Sequence, residues 1–142
     1  MMVSALRMSE LIRLDSKGRV LIPQSVREAL GFREGMYLML IADLDRGEVL
    51  LTPFADPEAR LMEFRIKLTD VPGALAKVAN VLADANVDLL HTESRTIRRG
   101  EYAEWIAVAD VSKCSVDMDV LKERILNEGK AQAVEIREYW RG

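Results

Sequence analysis

Two prolines four residues apart, Pro53 and Pro57, divide this 142-residue chain. Proline fixes φ at about −65° and has no N–H to donate, so Pro53-Phe54-Ala55-Asp56-Pro57 continues neither a helix nor an interior strand. One core assembled from an unbroken run of elements is therefore excluded, and each side has to find its own. The break reads as a linker over residues 54–60. It separates a small β-rich unit at residues 8–53 from an alternating β/α unit at residues 61–140.

The first unit begins with short strands at Leu11–Leu14 and Arg19–Ile22 around the turn Asp15-Ser16-Lys17-Gly18, where glycine admits positive φ. Pro23 stops the ladder and suits the first turn of a helix, Gln24–Leu30, which Gly31 ends. A hairpin follows, pairing Tyr37–Asp43 with Glu48–Pro53 around Asp45-Arg46-Gly47. About 45 residues with one two-turn helix bury too little apolar area to be stable alone, so this unit calls for a partner chain.

The second unit opens with Leu61–Thr69, where Met62, Phe64, Ile66 and Leu68 alternate with Glu63, Arg65 and Lys67 as in a half-buried strand. Pro72-Gly73 opens a helix to Ala85 with an apolar stripe of Leu75, Val78, Ala79 and Leu82. Strands at Asp88–Ile97 and Tyr102–Asp110 flank the turn at residues 98–101. A helix at Asp117–Asn127 buries Val120, Leu121 and Ile125, and Ala133–Trp140 is the last strand. The order β-α-β-β-α-β is the split βαβ, ferredoxin-like arrangement, with four antiparallel strands and both helices on one face.

Charge and composition narrow the function. There are 20 basic and 23 acidic side chains, a net of −3. Residues 1–55 hold seven of each and residues 56–142 carry the deficit. Neither half is a basic tail, so nucleic-acid binding has to arise from local clustering. A single cysteine, Cys114, forms no internal disulfide, and a reducing cytoplasm is expected. The longest apolar run, Met36–Ala42, falls far short of the ~20 residues of a membrane span. Ser4–Met8 is too polar for an export signal, so neither membrane nor secretion is expected. With one histidine and one cysteine, no phosphate loop and no nucleophile elbow, no enzyme, metal or cofactor is expected. His91, Cys114, Trp105, Tyr139 and Trp140 read as packing or surface residues. The basic run Arg95, Arg98 and Arg99 reads as a solvated hairpin tip.

The segment Leu14-Asp15-Ser16-Lys17-Gly18-Arg19 through Ile22-Pro23 to Ala29-Leu30-Gly31, with Gly35 beyond it, resembles the AbrB/MazE/SpoVT swapped-hairpin DNA-binding family over residues 8–53. The resemblance implies a dimer in which two chains interleave hairpins into one small β-barrel, meeting the need for a partner. It also implies a grip on double-stranded DNA through Arg13, Lys17, Arg19 and Arg27, which a two-fold dimer duplicates on one face. Glu28 stands where some members carry a base, and Asp15 adds negative charge nearby.

Leu68-Thr69-Asp70-Val71-Pro72-Gly73-Ala74-Leu75, with Asn86-Val87-Asp88-Leu89, resembles the ACT domain over residues 61–140. That likeness implies a regulatory sensor of a small molecule, most often an amino acid, bound where two copies meet. The N–H groups of Gly73, Ala74 and Leu75 at a helix start suit a carboxylate. Asp70 and Asp88, expected near one edge, suit an ammonium. The plain alternative makes Asp70 a helix cap, Asp88 a turn residue and Pro72-Gly73 a connector.

Together these features read as an α+β chain forming a homodimer or higher even oligomer, a DNA-binding transcription regulator that responds to a small metabolite. Two rivals stand beside it: a dimeric protein-interaction module, and a regulatory subunit of a metabolic enzyme without DNA binding.

Overall fold

A computed structural model of the chain describes residues 6–140. The chain divides into two units, residues 1–53 and 54–142.

In the N-terminal unit the regular elements are α1 (Gln24–Leu30) and a two-stranded sheet of β1 (Tyr37–Asp43) and β2 (Glu48–Ala55). Pro23 precedes α1 and Gly31 closes it at φ 71°, with its N–H bonded to the Glu28 carbonyl. The expected strands at Leu11–Leu14 and Arg19–Ile22 are not laddered. The turn between them is made, since Asp15 N donates to the Arg19 carbonyl at 3.0 Å and Gly18 N to the Asp15 carbonyl at 3.1 Å. Pairing stops there because an isolated hairpin without a third strand or a covered face is marginal in water. None of the described residues before Leu61 is buried. Leu14, Leu21, Leu30, Leu40, Ile41, Leu44 and Leu50 all stand exposed. Among its described residues, this unit thus contains no barrel and no core within a single chain.

β2 runs through Pro53 to Ala55, so the break expected at residue 54 falls inside a strand. The 54–60 stretch is also tied down at its far end. Arg60 N donates to Asp110 Oδ1 at 3.0 Å, and Val111 N to the Arg60 carbonyl at 2.9 Å.

The C-terminal unit contains β3 (Leu61–Thr69), α2 (Ala74–Asp84), β4 (Asp88–Arg98), β5 (Tyr102–Asp110), α3 (Met118–Asn127) and β6 (Ala133–Glu138). The sheet order is β4-β5-β3-β6, and the β3–β5, β3–β6 and β4–β5 pairings are antiparallel. This is the βαββαβ, ferredoxin-like arrangement. Phe64, Ile66, Leu82, Leu121, Ile125 and Val78 are fully buried where the sheet meets the two helices.

The inward stripe of α2 is Val78, Val81 and Leu82, continued by Ala85 at the C-cap, rotated from the expected Leu75, Val78, Ala79 and Leu82. Leu75, in the first turn, is 40 % exposed. Val120 of α3 likewise faces outward, while Leu121 and Ile125 are buried as expected. Asp117 caps α3 by accepting from Val120 N at 2.9 Å.

Gly129 follows α3 where the chain turns under the helices. A Cβ there would stand 2.6 Å from the Ile125 carbonyl oxygen and 3.2 Å from Val78 Cγ2. The first of these is backbone and cannot rotate away. Gly129→Ala is therefore expected to destabilise the unit by about 1–3 kcal/mol, the usual range for overpacking. A thermal midpoint equal to wild type would contradict this.

The sheet face away from the helices carries an ionic lattice. Glu63 accepts from Arg65 Nε at 2.8 Å and lies 2.8 Å from Arg137 Nη2, with its own side chain only 12 % exposed. Arg95 pairs with Glu104 at 2.9 Å, and Lys67 Nζ sits 4.0 Å over the Tyr102 ring. Burial pushes the Glu63 carboxyl up, but the two arginines outweigh it and hold it below the ordinary glutamate value. A depressed carboxyl contributes stability above its unfolded pKa and loses it as pH falls through the folded value. Glu63→Gln is expected to cost roughly 1–2 kcal/mol at neutral pH, because it leaves two arginines without their anion. The deficit should shrink as wild type is acidified. Equal stability of the two proteins at neutral pH would sink this role for Glu63.

Candidate functional sites

The β3–α2 connection is built by hydrogen bonds that place Asp70. Asp70 N donates to the Glu101 carbonyl at 3.0 Å, and Gly100 N donates to Asp70 Oδ2 at 2.8 Å. The carboxylate thus clasps the tip of the β4–β5 hairpin to the loop that starts α2. Asp70 is neither the α2 cap nor an uncommitted ammonium partner. Gly73 takes the cap position at φ 85°, a conformation that strains any side chain. Ala74 N is spent on the Val71 carbonyl at 3.3 Å. Gly73 and Leu75 remain as the donors at this helix start.

This loop forms one wall of a cavity of about 220 Å³. Asp70, Ala74 and Leu75 line it, over a floor of Leu68, Ala103 and Trp105. Ser94 and Thr96 supply hydroxyls from β4. Register explains them: Thr92, Ser94 and Thr96 pair with Ala107, Trp105 and Ala103, on the sheet face that carries the helices. All three are exposed on an edge strand. In the sequence, these hydroxyls stand at period two over 92–96.

Asp88 lies elsewhere. It pairs with Asp110, which pairs with Leu61 at the start of β3, whereas Asp70 follows Thr69 at the end of β3. Nine positions along β3 and its end separate the two, about 30 Å at ~3.3 Å per residue. The expectation of a shared edge is therefore corrected, because β4 begins at the opposite end of the sheet. Asp88 borders a different, acidic cleft of about 570 Å³ with Asp56, Glu58, Asn86 and Asp110. Burial raises the Asp110 carboxyl, but the Ser112 and Arg60 N–H groups, aided by Lys113, bring it below the ordinary aspartate value. Asp110 is thus an anchor for two backbone segments. Among the described residues no group of three or more His, Cys, Asp or Glu is placed to hold a metal. No helix among them is long and apolar enough to cross a membrane. Cys114 is half-buried against the core.

In the N-terminal unit, Arg13, Lys17, Arg19 and Arg27 are all exposed. Arg19 Nε donates to Asp15 Oδ2 at 2.7 Å, and Arg27 Nε donates to the Ile22 carbonyl at 3.0 Å. The Arg27 contact ties the middle of α1 to the arm before it. Glu28 is engaged by Gln24 on its own helix at 2.8 Å.

Residues 62–125 match the family model described as ACT domain. No curated protein matches the chain. Among solved structures, a formyltetrahydrofolate deformylase from Pseudomonas syringae pv. tomato str. DC3000 is similar at 18% identity and TM-score 0.49. The alignment covers 56% of this chain and 28% of that one, so the chain spans well under a third of the deformylase. The chemotaxis kinase CheA P2 domain, solved in complex with the response regulator CheY from Thermotoga maritima, is similar at 14% identity and TM-score 0.39. There the coverage is 57% of this chain and 99% of that one.

Proposed function

We propose that this chain, with its ACT domain at residues 62–125, is a ligand-responsive regulator that binds DNA as a homodimer and senses an amino acid or similar metabolite. The observation that carries the sensing half is the cavity at the β3–α2 loop, walled by Asp70, Ala74 and Leu75. It offers the Leu75 N–H, hydroxyls and an apolar floor, a combination suited to a small zwitterion. Asp88, at the far end of the same sheet, completes such a site only if a second copy lies antiparallel along the exposed edge strand β4. One protomer then supplies the helix start and its partner the carboxylate.

The DNA-binding half is supported by two features of residues 8–53. The unit has no buried residue in one chain, which is expected of a protomer whose core forms only between two copies as an interleaved barrel. Its Arg13, Lys17, Arg19 and Arg27 are exposed and lie on or beside the first turn and α1, and a two-fold axis would double them. Phosphate contacts release counterions at about 0.9 per contact in the salt slope. Arg27→Ala, lost twice per dimer, is therefore expected to lower that slope by about two. An unchanged slope would remove Arg27 from the DNA face.

Thermal denaturation of the full chain with individual amino acids tests the sensing half. One or a few should raise the C-terminal transition, and Leu75→Asp should abolish the shift. A midpoint indifferent to all of them would count against an amino-acid effector. Salt-independent or absent DNA binding would favour the protein-interaction reading.

A further inference from the structure

We propose that Asp15 is the positioning residue for a base-reading arginine. It holds Arg19 by Nε so that the terminal fork of the guanidinium is presented, already ordered, to a guanine edge. This rests on the DNA-binding reading above.

Asp15 commits every polar group it has to one loop. Its N–H donates to the Arg19 carbonyl, and its carbonyl accepts from Gly18 N. Oδ1 accepts from Lys17 N at 2.8 Å and Arg19 N at 2.9 Å, leaving Oδ2 for Arg19 Nε at 2.7 Å. One oxygen can grip the guanidinium at one corner only. The Arg19 side chain remains 70 % exposed, and its terminal donors are left for whatever approaches.

The electrostatics separate Arg19 from its basic neighbours. A carboxylate in contact cancels much of the attraction of Arg19 for a phosphate. It leaves the hydrogen-bonding fork intact, and that fork matches O6 and N7 of guanine in the major groove. An arginine already held also loses less rotamer freedom on binding. Arg19 is thereby suited to reading sequence, and Arg13, Lys17 and Arg27 to holding the backbone. The negative charge that looks adverse in the sequence becomes the clamp.

The test selects duplexes from a randomised pool with the full chain, then compares the best of them with calf-thymus DNA by anisotropy. Asp15→Asn keeps an oxygen for the Lys17 and Arg19 amides but loses the ion pair. Arg19→Lys keeps the charge but loses the fork. Both are expected to reduce discrimination about fivefold or more, the scale of one lost bidentate base contact. Calf-thymus DNA should lose less affinity than the selected duplex with either variant. Three results would overturn the proposal. If Asp15→Asn keeps or improves affinity for the selected duplex, Asp15 is no clamp. If it weakens both DNAs equally, Asp15 only holds the loop together. If wild type binds calf-thymus DNA but enriches no sequence, base reading fails alone, whereas no binding to either takes the DNA-binding reading with it.

Discussion

Leu21→Asp is expected to abolish ordered pairing of the N-terminal unit and DNA binding together. Leu21 is 76 % exposed in one chain, and Leu14, Leu40, Ile41 and Leu44 stand exposed with it. Each such side chain contributes about 1.5–3 kcal/mol when it leaves water. That is the only large favourable term open to a unit whose hairpin arms find no ladder within one chain. A carboxylate placed there forfeits the gain and adds the cost of desolvating a charge. Two-fold symmetry applies the penalty twice. A rise in the dissociation constant of at least about a hundredfold follows from a loss of ~2.7 kcal/mol. If the C-terminal units pair as well, the mass of the assembly does not report on the N-terminal unit alone. Amide exchange in peptides from residues 10–50 is direct: protected in wild type at micromolar concentration, and unprotected in Leu21→Asp. Protection that survives the substitution would mean that the exposed apolar side chains are not the pairing surface.

Mixing two inactive variants is expected to restore ligand binding. Leu75→Asp sets a carboxylate against the helix start, where the effector's own carboxylate would bind. Asp88→Ala removes the charge at the other end of the sheet. Either alone should weaken the effector at least about tenfold, ~1.4 kcal/mol. If each site combines residue 75 of one protomer with residue 88 of its partner, the mixed dimer holds one doubly altered site and one intact site. Random exchange makes half of the dimers mixed, so wild-type affinity should return at about a quarter of the wild-type stoichiometry. If residues 75 and 88 act within one chain, both sites of every mixed dimer carry one defect and nothing returns. Titration calorimetry on the exchanged mixture separates the two outcomes.

The sequence read well where pattern is tied to a local physical cause. The alternation along Leu61–Thr69 marked β3, because one face of that strand is buried and the other carries the ionic lattice. Gly73 marked the start of α2, because the turn requires positive φ. Three-dimensional pairing was less legible. Asp70 and Asp88 looked like neighbours, since both flank α2, but a helix antiparallel to β3 returns the chain to the opposite end of the sheet. The clasp from Asp70 to Gly100 spans 30 residues of sequence, and no local pattern announces it. The stripe on α2 was misplaced by one step because Leu75 and Val81 are both apolar, and only packing decides which turns inward. In the N-terminal unit the turn at Asp15–Arg19 was legible and its flanking strands did not form, since a ladder needs a partner that one chain lacks.

The regulator reading turns on whether a small metabolite changes DNA binding. Anisotropy of the full chain on a randomised duplex pool, followed through a salt series with and without a mixture of amino acids, tests this directly. Salt-dependent binding whose midpoint moves when the mixture is added is the expected result, because an effector shifts the dimer only if it binds one pose better than another. Binding that is indifferent to the mixture at every salt concentration, or no binding at the lowest, would contradict it.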